Sequence, residues 1–303
     1  NKNTDHIFDF SFIGAKNHFF SKSNRELEFN NFDESDIYLE VQQTSNDTYL
    51  KTYKLDSPLI NDNNILKSTA GLNLFNEDLT FNSEFQVYEN LSKKESDRFE
   101  YVLPSYILSK NINSNLLNNG DLFFNSSGFV KNYDTNVYEK NVVNDLLFNS
   151  DFSYTKTGLA SDYKVLIKNV NTNSQNSKKY KESTDHTLSS LVQYNLSYPL
   201  KRNKNNFKEI FKPITSLKIS PNKSKNIRNE DVRIDMDNIF SFNRINTSDS
   251  VEGGLSLTYG LEYSAMNKKD QDIVVAKIAN QTRLEEDKNL PASSGLGKKS
   301  SNV

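Results

Sequence analysis

The chain has 303 residues with 37 basic and 39 acidic side chains, a formal net charge of −2, so it lacks the basic footprint of a nucleic-acid binder. Hydrophobic residues make up 35% and mean hydropathy is −0.72, low for a globular core, and the heavy use of Asn, Lys, Phe, Tyr, Ile and Ser fits an AT-rich genome. With no cysteine, a disulfide framework and a thiolate metal site are excluded; no run approaches the ~18 apolar residues of a transmembrane helix.

In chain order the sequence is a series of period-2 segments. Phe8, Phe10 and Phe12 alternate with polar residues, as do Ile37, Leu39 and Val41, then Leu66, Ala70, Leu72 and Leu74, then Leu79, Phe81, Phe85 and Val87. Leu146, Phe148, Phe152 and Tyr154 follow, then Tyr163, Val165 and Ile167. Two later runs are the cleanest: Leu188, Val192, Tyr194, Leu196, Tyr198 and Leu200, and Leu255, Leu257, Tyr259, Leu261 and Tyr263. Each has polar or small residues between, the pattern of an antiparallel sheet wet on one face. Soluble strands run about 5–6 residues, whereas a bilayer-crossing strand needs about 9–11. Leu66–Phe75, Asn144–Thr155, Leu188–Leu200 and Leu255–Ala265 reach the longer figure.

The spacing predicts short links at Gly14–Lys16, Ser45–Asn46, Asn76–Asp78, Lys156–Ala160 and Asn267–Gln271, with Asn111–Asn119 and Lys201–Glu209 in the same series. Between them fall longer ones at Asp56–Asn64, Glu89–Phe99, Lys131–Asn141, Asn171–Thr184 and Ser220–Ser250, and a brief Asn31–Ser35. Outer-membrane barrels alternate short periplasmic turns with long external loops. The expectation is therefore an all-β chain of roughly fourteen strands, an antiparallel transmembrane β-barrel segment in which residues 1–303 are part of one domain. The start NKNTDHIFDF has no signal peptide, and both ends read as cuts within a longer protein.

Asn226–Gly254 (NIRNEDVRIDMDNIFSFNRINTSDSVEGG) has neither period. Ile239, Phe240 and Phe242 want burial, and Arg244 has Asp249, Glu252 or the wall residue Glu262 as partners. Asn229, Glu230 and Asp231 are expected to cap backbone amides at the loop's start, and Gly253 with Gly254 frees the backbone before the next strand. The inward series would be Ser256, Thr258, Gly260, Glu262 and Ser264 on one strand and Ser189, Gln193, Asn195 and Ser197 on another, with Tyr194, Tyr198, Tyr259 and Tyr263 as interfacial girdle residues.

No enzyme motif or cofactor site survives. His6, His18 and His186 are far apart and read as surface or lumen residues. In GLGKKS at Gly295–Ser300, Lys299 and Ala292 stand where a phosphate loop needs Ser/Thr and Gly. Asp235 and Asp237 have a calcium-like spacing, but Ile239 and Phe240 break the pattern. Asn46-Asp-Thr and Asn246-Thr-Ser fit the glycosylation pattern, as chance allows in an Asn-rich chain.

Asn229-Glu230-Asp231, Ile239-Phe240, Asn243-Arg244, Asp249-Ser250-Val251-Glu252-Gly253-Gly254 and Tyr259-Gly260-Leu261 together resemble the signature loop and following strand of the LPS-assembly outer-membrane protein family LptD (Imp/OstA). Val232, Ile245 and Ser250 replace that family's Ser, Phe and Arg. Arg98 with Val102-Leu103-Pro104, Lys212-Pro213-Ile214, and Ser294-Gly295-Leu296 with Lys299-Ser300-Ser301 are weaker echoes in the same order. The resemblance implies the C-terminal barrel of a lipopolysaccharide export channel in the outer membrane of a Gram-negative bacterium. It implies about two dozen strands in all, an LptE-like plug lipoprotein, and periplasmic LPS bridge proteins reached through an N-terminal domain that this chain is expected to lack, with the closing strands. Outer-membrane lipid and lipopolysaccharide would be its other partners. A general or substrate-specific porin and a soluble Asn-rich surface β protein stay open as alternatives.

Overall fold

The computed structural model describes residues 4–55, 57–112, 119–203, 207–245, 247–267, 269, 271–291 and 293–303. Asn246, Ala292, Asp56 and the tips of the 111–119, 201–209 and 267–271 links lie outside them. Among the described residues there are sixteen strands: β1 (Thr4–Ile13), β2 (Lys16–Glu26), β3 (Glu34–Thr44), β4 (Ile65–Phe75), β5 (Leu79–Asn90), β6 (Phe99–Asn111), β7 (Gly120–Tyr133), β8 (Val137–Ser150), β9 (Ser153–Tyr154), β10 (Ala160–Gln175), β11 (Asp185–Ser197), β12 (Leu200–Asn203), β13 (Lys208–Ser220), β14 (Gly254–Met266), β15 (Asp272–Arg283) and β16 (Ser300–Asn302). The one α-helix in the described residues is α1 (Tyr49–Tyr53), too short to cross a membrane. The hydrogen-bonded order follows the chain, with the short β9 and β12 pairing to one side, on β10 and β13. The pairing is that of an all-β antiparallel sheet.

Two units divide these residues: Asn1–Ile112 with Phe124–Asn144 and Val170–His186, and Asn113–Phe123 with Asp145–Asn169 and Thr187–Val303. In the first, β1 to β6 form a meander in which residues directly opposite share a face, as in Arg25↔Ile37↔Leu72 and Tyr38↔Gly71↔Glu84. In the second, β13, β14 and β15 pair along most of their lengths, with Thr215↔Tyr259↔Asn280 and Ser216↔Thr258↔Gln281.

Burial runs opposite to that of a water-soluble sheet. On β14, Leu257, Tyr259 and Leu261 are 40%, 48% and 41% exposed, while the alternating Ser256 and Thr258 are 3% and 1% exposed. Ile37, Leu39 and Phe85 are likewise exposed and Gln42 and Thr69 buried. An apolar face this continuous would be an aggregation surface in water and is matched by hydrocarbon. Strands of 11, 13 and 12 residues in β4, β14 and β15 meet or exceed the ~9–11 needed to span it. Tyr194 and Tyr259 are on the exposed face; Tyr198 and Tyr263 are half-buried, and Tyr263 Oη approaches Glu209 at 3.4 Å.

Several boundaries differ from those expected. The residues between Ser45–Asn46 and Asp56–Asn64 form no strand: α1 lies there, and 45–64 is a single connection from β3 to β4. Tyr49 and Leu50 of that helix are fully buried with Phe20, Leu59, Leu66 and Leu91, so tertiary burial overrides the aromatic, β-like composition. With that strand removed, the Asn31–Ser35 connection (27–33 between β2 and β3) belongs with Asn76–Asp78 at the short-link end. The long Lys131–Asn141 loop is a three-residue turn, Asp134 to Asn136, with left-handed backbone at both of those residues, which Asn and Asp tolerate. The Asn171–Thr184 and Ser220–Ser250 loops run from 176 to 184 and from 221 to 253.

Asn144–Thr155 is not one strand, since β8 ends at Ser150 and β9 pairs separately with β10. Leu188–Leu200 breaks after Ser197, because Pro199 has no amide to donate to a ladder. His18 is no surface residue. It is buried beneath Tyr49 with its Nε2 3.2 Å from Asp9.

Leu261 faces outward near the middle of β14. Leu261→Arg is expected to destabilise the folded protein in bilayers by about 2–4 kcal/mol, and Ser264→Arg on the opposite face by much less. Urea titration of protein refolded into vesicles measures the difference.

Candidate functional site

The loop 221–253 folds onto the polar face of β13, β14 and β15 in the second unit. Its centre is Arg244, whose side chain is fully buried. Arg244 Nε donates to Glu252 Oε2 at 2.7 Å and Nη2 to Glu252 Oε1, a bidentate pair. The remaining donors reach the wall: Nη2 to Ser256 Oγ at 2.8 Å, Nη1 to Thr258 Oγ1 at 3.2 Å and Nη1 to Gln281 Oε1 at 3.0 Å. Ser256 and Thr258 share one face of β14, and Gln281 lies opposite Thr258 on β15.

Glu252 also accepts from Arg283 Nη1 and lies 3.9 Å from Lys218 Nζ, all of them buried. Burial pushes the Glu252 carboxyl up, but the charges of Arg244, Lys218 and Arg283 outweigh it and hold it down to about 2. Glu252 thus faces two guanidiniums and the Lys218 amine, and Asp287 stands 3.9 Å from Arg283 Nη2. Carbonyl oxygens of the loop accept from the remaining donors: Lys218 Nζ donates to Ser241, Arg283 Nη2 to Gly253, and Arg244 Nη1 to Ile239 at 3.4 Å. Gln193 Nε2 donates to Phe240 O at 3.0 Å and Lys168 Nζ to Ser248 O at 2.7 Å, Lys168 being paired with Asp145 as well. A segment without regular structure has its carbonyls satisfied by wall side chains instead of a ladder.

Apolar contacts complete the attachment. Ile227 and Ile245 pack with Leu290 and Leu296 of the 284–299 link, and Ile234 leans on that cluster. Phe242 packs against Leu166, Leu191 and Val251. Ile239 is buried and Phe240 half-buried. Gly253 is required by space: a Cβ there would lie 2.3 Å from Asn222 O and 2.6 Å from Ser224 N. Gly254 is required by conformation, with φ +81° where β14 begins.

The structure brings together Arg244, Glu252, Gly253, Ser256 and Thr258, with Gln193 beside them. Asp249 is buried nearby but pairs with Lys225 at 2.8 Å instead of Arg244. Asn243 is exposed and donates to Thr247 O at 3.2 Å. Asn195 donates to Asp162 at 2.8 Å. Glu262 lies further along β14 with Lys212 and Lys277 at 3.6 and 3.9 Å, away from Arg244. Asn229, Glu230 and Asp231 are exposed, and Asp231 accepts from the Arg233 side chain. Amide capping is done by Asn226, Asp235 and Asn238, whose side-chain oxygens accept from nearby backbone amides. Asp235 spends its Oδ1 on the amides of Asp237 and Asn238, a local turn. Among the described residues no cluster of metal-ligating side chains is present.

Sequence reasoning missed Lys218, Gln281, Arg283 and Lys168. Each is a long polar side chain at an inward position of an alternating strand. For Lys218, Arg283 and Lys168 the one available signal was a charge at an inward position, and Gln281 gave none.

Glu252→Gln leaves the buried Arg244 and Arg283 guanidiniums short of their counter-charge and is expected to loosen the loop by roughly 3–5 kcal/mol, read as faster amide exchange over 226–245 with β14 still protected. A carboxyl lowered on folding contributes stability above its ordinary value of 4.5 and loses it as pH falls towards 2. Loop protection should therefore be flat from pH 7 to about 5 and decline below 4.5, and exchange measured across that range checks it.

No curated protein matches the chain. A family model described as LptD, LPS transport system D, matches residues 16–303, a span that includes the whole cluster and the strands that hold it. The chain belongs to the LptD family, outer-membrane proteins of lipopolysaccharide transport and assembly.

Proposed function

We propose that residues 1–303 are part of one barrel domain, the wall of the translocon that inserts lipopolysaccharide into the outer leaflet, and that the 221–253 loop is a structural plug or assembly element in it. The loop does no chemistry. The observation that supports this reading is the buried Arg244–Glu252–Arg283 cluster, which fixes a long irregular segment to the polar face of strands whose other face is apolar and exposed. In this reading the long-link end faces outward from the cell, Asn195 and Glu262 line the lumen and hydrate sugar, and Ser256, Thr258 and Gln193, expected to line it as well, are covered by the loop. An LptE-like lipoprotein occupies the remaining width, and periplasmic bridge proteins deliver the glycolipid through a further domain.

The test is deletion of residues 234–246 in the full-length protein in its own cells. The expected outcome is less lipopolysaccharide at the cell surface and entry of large hydrophilic antibiotics, with the protein still in the outer membrane. Normal surface lipopolysaccharide and an intact permeability barrier would overturn the plug reading. If depletion of the whole protein abolished small-solute uptake and left lipopolysaccharide unchanged, the porin reading would replace it.

A further inference from the structure

The polar face of the first unit differs in kind from the one beneath the signature loop. At the loop end of β14 and β15 the inward residues Ser256, Thr258, Gln281 and Arg283 are sealed under the loop. On β3, β4 and β5 the inward positions carry Tyr38, Asn73, Asn82, Glu84, Gln86 and Tyr88, all of them half-exposed. Register places them together: Tyr38, Gly71 and Glu84 are directly opposite one another across three strands, and Asn73 faces Asn82.

These side chains hold one another. Tyr38 Oη donates to Glu84 Oε1, Gln86 Nε2 donates to Glu84 Oε2, and Tyr88 Oη donates to Gln86 Oε1 at 3.2 Å. Asn82 Nδ2 donates to Asn73 Oδ1 at 2.6 Å, and Asn73 Nδ2 to Asp36 at 3.0 Å. The Tyr38 ring extends across Gly71, where a Cβ would sit 2.2 Å from the ring carbon bearing the hydroxyl. A residue with any side chain at Gly71 would displace the ring. Two aromatic rings with fixed amide and carboxylate groups between them form a surface of matched chemistry: apolar C–H faces stack on the rings, and hydroxyls find both donors and acceptors. The polar groups are already oriented, so a ligand need not order them on arrival.

We propose that this patch on β3, β4 and β5 is a saccharide-binding track on the inner wall, taken by the sugar portion of the transported lipopolysaccharide. The inference rests on the translocon reading above and adds the residues that touch the cargo. The sealed wall under the signature loop offers no such contact, so the sugar follows the first unit's strands.

The test is site-specific photo-crosslinking in cells carrying the full-length protein, with a benzophenone amino acid at Asn82, at the adjacent outward Phe81, and at Asn195 on the polar face of β11. Adducts are detected with antibody to lipopolysaccharide. The expected result is a strong adduct at Asn82, and a fall in it of about fivefold in Tyr38→Leu/Tyr88→Leu, the order expected for loss of aromatic contacts. Equal yields at Asn82 and Phe81, or a yield at Asn82 unchanged by loss of both rings, would overturn the track. An adduct at Asn195 with none at Asn82 would overturn it while leaving the translocon reading in place. Absence of adducts at both Asn82 and Asn195 would overturn both.

Discussion

A buried carboxylate, Glu252, held between two guanidiniums and the Lys218 amine is the constraint on which the second unit depends. Glu252 lies at the end of the long loop, two residues before β14 begins; Arg244 comes from within the loop, Lys218 from β13 and Arg283 from β15. Strand ends and loop therefore meet at one group. Burial of these side chains without partners would be prohibitive, and Glu252, with Asp287 3.9 Å from Arg283, meets only some of their donors. The difference is supplied by dipoles, since carbonyls of Ser241, Gly253 and Ile239 and the oxygens of Ser256, Thr258 and Gln281 point at the cations. This explains why the wall has hydroxyl and amide residues at these positions. A leucine at Thr258 or Gln281 would leave a guanidinium proton without an acceptor.

The same constraint determines how the sheet is coloured on its two faces. Polar positions in β13, β14 and β15 are buried by a loop that itself needs donors for its carbonyls, and apolar positions on the same strands are left exposed. In water such an arrangement would place the apolar residues on the wrong side. With hydrocarbon outside, both faces are satisfied at once: the outer by dispersion and exclusion from water, the inner by hydrogen bonds. The exposure of Leu257, Tyr259 and Leu261 and the burial of Ser256 and Thr258 are thus one fact seen from two sides.

Much of this was legible in the residues because strand alternation is a local property. Leu255 to Tyr263 alternates without interruption, and β14 covers it; the Arg244–Glu252 pair was suggested by opposite charges among apolar residues that sought burial. Non-local features were not legible. Tyr49 and Leu50 become helical because Phe20 and Leu66, far away in sequence, provide a site for them. Lys218 and Arg283 are single charges in otherwise ordinary strands, and nothing near them in sequence reveals that they converge. Asn229 to Asp231 looked like caps because of their residue types, but capping depends on which amides point inward, and those belong to the turns built by Asn226, Asp235 and Asn238. The Pro199 break and the tight Asp134–Asn136 turn were visible as residue types and were outweighed by the longer pattern around them.

The signature loop is also inseparable from the segment that follows β15. Gln281 accepts from Arg244 with its oxygen and donates to Leu296 O with its nitrogen at 3.2 Å, so one amide binds both segments. Ser224 Oγ donates to Asp287 at 2.6 Å, Asn289 donates to Ser224 O at 3.1 Å, and Ile227 N donates to Asn289 O at 2.8 Å. The apolar cluster is likewise half from each, with Ile227 and Ile245 against Leu290 and Leu296. Neither segment buries these side chains alone. The final packing of the loop, which precedes β14 and β15 in the chain, therefore requires both strands and the link beyond them to be in place.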